Sequence, residues 1–185
     1  MFFEDLEYKD NVIPKTILGY GPFMAELYFG HRSRLYYDDL YTNPQNIADV
    51  IVESYNQGVR AINLVNDSNL LEAYDIAAEQ GCKMKVIATV GKSDVDYLNP
   101  NYEVAKEVDW DEDIELFRRY DCPLMLVDEF IVDGYDWKLT SKILSEINNT
   151  GALSGLVTAF PSRTSELLLD NLDMNLFDFY MIPFR

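Results

Sequence analysis

The sequence predicts an α/β fold of the TIM-barrel type, a (β/α) repeat with about six parallel strands, and three observations predict it. First, one unit recurs along the chain: a helical pattern, a short break often holding Gly, then an apolar run of strand length. Second, those runs are apolar on both faces, as in parallel strands covered by helices on either side. Third, the glycine turn of an open dinucleotide-binding sheet is incomplete. Gly19-Tyr20-Gly21-Pro22-Phe23-Met24 lacks the last glycine of G-x-G-x-x-G and leads into an aromatic loop, not a helix.

The elements follow in order. Lys15 to Tyr20 is a plausible first strand. Asn43 and Pro44 read as the N-cap and first turn of a helix over 44–57, with Ile47, Val50, Ile51 and Ser54 on one face. Gly58 stops it, and Val59 to Val65 reads as a strand. A helix over about 69–80 stops at Gly81 before a strand from Met84 to Val90. A helix near 110–120 leads into Leu124-Met125-Leu126-Val127, and one over 137–149 ends at Gly151 before Leu153 to Thr158. A last helix, about 162–171, runs into a sixth strand within 176–182. No linker or change in composition divides residues 1–185, so a single domain is expected.

Composition narrows the function. Apolar residues make up 48% of the 185, enough for a sizeable core. The net charge of −17 opposes binding to nucleic-acid phosphates or an anionic membrane surface. No apolar run reaches the ~18 residues of a membrane span, and the N-terminus lacks signal-peptide features. Two cysteines cannot staple a domain, and Cys82 and Cys122, each just before a strand, read as structural thiols. A cytoplasmic protein with a small-molecule substrate is expected, with no nucleic-acid or membrane partner.

Two stretches resemble the aldo/keto reductase superfamily, whose members are (β/α)8 barrels. In the longer, a helix closes on Gly151, a strand reads Leu153-Ser154-Gly155-Leu156-Val157-Thr158, and Pro161 to Leu168 is similar to the helix that follows. Phe177 to Phe184 resembles the sixth strand, and Ile17-Leu18-Gly19-Tyr20-Gly21 resembles the family's opening. The resemblance implies a barrel and NAD(P) as cofactor. It does not supply the reductase tetrad: Asn63 stands where an Asp belongs, Val90 where a Lys belongs, Asp128 where a His belongs, and residues 66–70 hold no Tyr.

Barrel enzymes work at the C-terminal ends of their strands, which selects the candidate residues. Asp128 and Glu129 end an apolar strand, where a carboxylate needs a partner or a task. Lys92, after the third strand, is the expected partner in acid/base chemistry, or a salt-bridge partner on the rim. Tyr28, His31 and Arg32 beyond the first strand, Asn63 and Asp67 beyond the second, and Thr158 beyond the fifth are expected to meet substrate. Ser162, Arg163 and Thr164 open a helix whose N–H groups can hold an anion, although ordinary capping explains the same residues. One histidine rules out His-rich metal sites, and no metal is assigned; a divalent ion would require Asp128, Asp67 and His31 to converge. The nine acids from Asp94 to Glu115 read as a solvated surface.

The expected function is a small-molecule metabolic enzyme using acid/base chemistry. The alternatives are an NAD(P)-dependent oxidoreductase with an altered site and a non-catalytic binding or assembly module. Eight units need roughly 250 residues. Six therefore suggest most of a longer barrel, or open sheet edges sealed by a partner, including a second copy.

Overall fold

The computed structural model describes residues 4–95 and 99–183. The chain divides into two compact units, residues 1–87 and 88–185. The third strand of the repeat crosses from one to the other.

The first unit opens with an antiparallel hairpin, β1 (Asp5–Tyr8) and β2 (Asn11–Pro14). Nothing in the apolar periodicity announces it; Lys9 and Asp10 turn the chain with positive φ. The first repeat strand, β3 (Ile17–Leu18), is only two residues long and pairs in parallel with β4 (Ala61–Leu64). Between them lie a single-turn helix at Leu27–Phe29, α1 (Arg32–Tyr36), a π-turn at Tyr37–Tyr41 and α2 (Pro44–Asn56). Helix α3 (Ser68–Glu79) packs on α2, and β5 (Lys85–Val90) follows.

The face α2 buries is Ile47, Ala48 and Ile51, whereas Val50 is exposed. The expected face thus turns by about one position, toward Ala48. Each fully buried Ile contributes roughly 1.5–3 kcal/mol, so Ile47 and Ile51 decide the orientation. Asn43 occupies the cap position, but its side chain makes no capping bond.

The second unit contains α4 (Tyr102–Ala105), α5 (Trp110–Phe117), β6 (Leu124–Val127), α6 (Glu129–Val132), α7 (Trp137–Asn149), β7 (Leu153–Val157), α8 (Pro161–Asn171) and β8 (Phe179–Met181). Strands β6 and β7 pair in parallel from Leu124 with Leu153 to Val127 with Leu156. Strand β8 joins β7 with Gly155 opposite Phe179. Gly155 is required there: a Cβ would stand 2.6 Å from Leu126 Cδ2 and 2.8 Å from the Phe179 carbonyl oxygen. Phe117, Met125, Leu126, Ile131 and Ile143 form the buried centre.

The six repeat strands, β3 to β8, lie in chain order along one sheet with helices between them. That is the sequential parallel order of a TIM-barrel-like fold. No helix among the described residues is long and apolar enough to cross a membrane.

Four of the aspartates serve α-helix starts. Asp67, Asp109, Asp128 and Asp136 each accept a backbone N–H at the first turn of α3, α5, α6 and α7. Each such cap is worth about 1 kcal/mol. Asp113 also departs from the expected solvated surface: it is buried and accepts the Gly91 N–H at 2.8 Å.

Candidate active site at the strand ends

In the first unit the candidates are separate features. Tyr28 is exposed and its ring lies 4.5 Å from that of Phe29. His31 and Arg32 are exposed at the start of α1, and His31 makes no side-chain capping bond. Asn63 is buried and donates from Nδ2 to the Ile87 carbonyl at 2.7 Å. Asp67 caps α3 through the Leu70 N–H at 2.9 Å and also accepts the Tyr41 hydroxyl at 3.4 Å. Asn63 thus fastens β4 to β5, and Asp67 fastens the start of α3 to Tyr41.

In the second unit, Asp128 is buried and its Oδ1 accepts the Phe130 N–H at 3.0 Å. Its own N–H bonds to the Val90 carbonyl at 2.9 Å, which brings the end of β6 beside the end of β5. The chain turns into α6 at once, with Glu129 half-buried at its first position. Lys92 is half-buried in the loop after β5. Among the described residues, no group of three His, Cys, Asp or Glu side chains is placed to hold a metal.

The centre of the site is Asp133, at the C-terminal end of α6. Its carboxylate is buried and accepts three bonds. Oδ1 takes the hydroxyls of Thr158 at 2.5 Å and Thr164 at 2.9 Å, and Oδ2 takes the Ala159 N–H at 2.8 Å. The two threonine oxygens are 2.9 Å apart, and Thr158 Oγ1 also accepts the Phe160 N–H at 3.0 Å. A buried carboxylate costs several kcal/mol unless it is satisfied, and this one is. It ties together the residues that follow β6, the end of β7 and the first turn of α8.

Phenols surround this anchor. The Tyr135 hydroxyl is 3.4 Å from Thr164 Oγ1, and the Tyr180 hydroxyl accepts from Ser165 at 3.4 Å. Burial, then the charge of Asp133, raises the Tyr102 phenol above its ordinary range; Glu129 raises it further, while Arg163 opposes them. Burial also raises Tyr180, with Asp133 again contributing and hydrogen bonds with the Ser165 and Thr158 hydroxyls opposing. Both are therefore O–H donors at neutral pH. The Arg163 guanidinium lies 5.0 Å from the centre of the Tyr135 ring.

Local sequence explains the placement. Gly134 lets Tyr102 approach: a Cβ there would be 3.3 Å from Tyr102 Cβ and 3.1 Å from the Phe130 carbonyl oxygen. Tyr135 has φ +56, a left-handed backbone that a bulky residue rarely adopts. Helix α8 starts with Phe160 as N-cap and Pro161 in its first turn, one residue earlier than expected, and no side chain caps it. Ser162 and Arg163 are exposed, whereas Thr164 is buried with its hydroxyl on Asp133. Of the three expected anion contacts, Thr164 is thus already engaged.

The cluster unites Thr158, Thr164 and Arg163 from the sequence-selected residues with four others: Tyr102, Asp133, Tyr135 and Tyr180. Asp133 lies within the segment after the fourth repeat strand, but its partners are 25 and 31 residues away. A usable signal was the carboxylate after one strand and the threonine after the next, because neighbouring parallel strands end side by side.

No family model matches the sequence, and no curated protein matches it. Among solved structures, the chain is similar to a sugar phosphate isomerase/epimerase from Parabacteroides distasonis ATCC 8503. The TM-score is 0.49 at 13% identity, covering 96% of this chain and 69% of that one.

Proposed function

We propose that the second unit carries the active site of a small-molecule enzyme that moves a proton on a polar metabolite, an isomerase- or lyase-type reaction. One observation carries the reading: the half-buried carboxylate of Glu129 opens the first turn after β6, in the same short helix that Asp133 closes onto Thr158 and Thr164. A base and an acid in one strand-end cluster can remove a proton beside a carbonyl and stabilise the oxygen that gains charge. Glu129 is the assigned base and Tyr102 the assigned acid. Asp128, engaged as a cap, positions the turn that presents Glu129. Lys92 is a further candidate for stabilising negative charge from the loop after β5.

The test uses the full chain in D2O with a panel of small hydroxycarbonyl compounds, free and phosphorylated, following loss of the proton beside the carbonyl by NMR. Exchange is expected with at least one compound and should fall about 100-fold in Glu129→Gln, within the usual contribution of general acid–base catalysis. Lys92→Met should slow exchange less. No exchange across the panel, or full activity in Glu129→Gln, removes the reading. Oxidation of NADPH by a carbonyl compound, without exchange, would favour the hydride-transfer role implied by the aldo/keto reductase resemblance.

A further inference from the structure

The loop that follows β5 is fixed where it leaves the strand. The Gly91 N–H is held at 2.8 Å by the buried carboxylate of Asp113, and its φ of +80 suits glycine. A Cβ at Gly91 would run into Ile131 Cδ1, so the loop starts directly against α6. One residue earlier, the Val90 carbonyl accepts the Asp128 N–H at 2.9 Å. Beyond Gly91 the burial alternates: Lys92 is half-buried, Ser93 buried, Asp94 exposed and Val95 buried. Ser93 and Val95 thus turn inward from an extended segment.

The Ser93 side chain is a buried donor without an acceptor. The residue is 6% exposed, and its Oγ is the buried side-chain polar atom that has no hydrogen-bond partner among the described residues. Burying a hydroxyl in that way is unfavourable, and folded proteins leave few such atoms. An alanine would fill the same place without the penalty. The bonds at Val90 and Gly91 exclude slack in the loop as the cause. The hydroxyl instead lies just past the C-terminal end of a repeat strand, where barrel-type folds bind their ligands. The neighbouring strand end is the one that leads into Glu129.

We propose that Ser93 is a substrate-binding residue whose hydroxyl donates to the carbonyl oxygen of an uncharged hydroxycarbonyl ligand. The proton is not committed within the protein, and a carbonyl oxygen accepts it without needing an acceptor in return. A permanently charged group fits less well. Asp113 on the Gly91 N–H and Asp128 beside Val90 place two buried carboxylates at this strand end, and both oppose a phosphate or carboxylate. The orphaned hydroxyl then becomes a source of specificity, because a ligand with no oxygen acceptor at that point leaves it unpaired.

The inference rests on the enzyme reading for the substrate class, and it is tested by binding and by melting. Full-length protein is titrated with dihydroxyacetone and erythrulose, with the polyols glycerol and erythritol, and with inorganic phosphate. Binding is followed by saturation-transfer NMR and by tryptophan fluorescence, since Trp110 packs near Gly91. At least one hydroxycarbonyl compound should bind saturably and more tightly than its polyol, and Ser93→Ala should weaken it about tenfold, the loss of one ligand hydrogen bond. The melting temperature of Ser93→Ala should equal or exceed that of wild type, because the variant removes a hydroxyl with no partner. A melting temperature several degrees lower would make the hydroxyl structural and overturn the proposal. It is also overturned if Ser93→Ala binds as tightly as wild type, if phosphate alone binds, or if no hydroxycarbonyl compound saturates by ~100 mM. Proton exchange that is unchanged in Ser93→Ala would sink this inference and leave the enzyme reading standing; Ser93-dependent binding without exchange would do the reverse.

Discussion

Thr158 gives its hydroxyl proton to Asp133 Oδ1 across 2.5 Å, joining the end of β7 to the residue that closes α6. With Thr164 and the Ala159 N–H on the same carboxylate, three segments depend on one buried charge. Asp133→Ala leaves two hydroxyls and an N–H without their acceptor. We expect a loss of about 2–4 kcal/mol, read as a lower urea midpoint. Thr158→Val, which removes one of the three donors, should cost about half as much. Equal midpoints for wild type and Asp133→Ala would exclude the anchoring role.

Gly155 and Gly151 separate close packing from backbone conformation. Gly155→Ala drives a methyl into Leu126 and the Phe179 carbonyl, so about 2–3 kcal/mol is expected. Gly151→Ala meets no atom within 4 Å but must hold φ +86, which costs about 1 kcal/mol. Thermal melts of the two variants should fall in that order, and the reverse order would show that β8 is not held against β7 as described.

The raised phenols make stability depend on alkaline pH in one direction. A folded-state value above the unfolded value of about 10 means that the contribution of Tyr102 and Tyr180 is complete below pH 10. It is lost as the pH climbs from there through the higher folded values. Absorbance at 295 nm should show late-titrating tyrosines that disappear in Tyr102→Phe and Tyr180→Phe. A wild-type titration with every tyrosine at its ordinary value would contradict the cluster.

Cys122 should be nearly inert. Burial pushes its thiol up to about 12, although bonds from the Ala88 and Leu124 backbone oppose that shift. Since the thiolate is the reactive form, alkylation by iodoacetamide at pH 8 should be far slower than for a free cysteine. Unfolding in urea should restore the ordinary rate; rapid labelling of the folded chain would show an open environment.

The repeat was legible because its signals are local. Ile47 and Ile51 mark a helix face, Gly81 and Gly151 stop helices with positive φ, and Leu124 to Val127 is apolar throughout. The N-terminal hairpin and α1, α4 and α6 escaped notice because they are too short to show a period. The strand ends also pointed to the region in which Asp133, Thr158 and Thr164 meet. What the sequence leaves open is the role of each acid: Asp128, expected as a chemical carboxylate, caps α6, while the carboxylate that anchors three segments is five residues on. Adjacent acids are equivalent in a sequence, and only a partner brought in from another strand separates Asp128 from Asp133.

The backbone at Tyr135 sets a trade for anyone engineering this chain. Glycine or asparagine takes φ +56 with little strain, so Tyr135→Gly and Tyr135→Asn are the substitutions a stability screen would favour at this position. Both discard the ring that carries Arg163 and the hydroxyl on Thr164. A search for thermostability alone would therefore drift toward a chain that relaxes its backbone and loses both contacts.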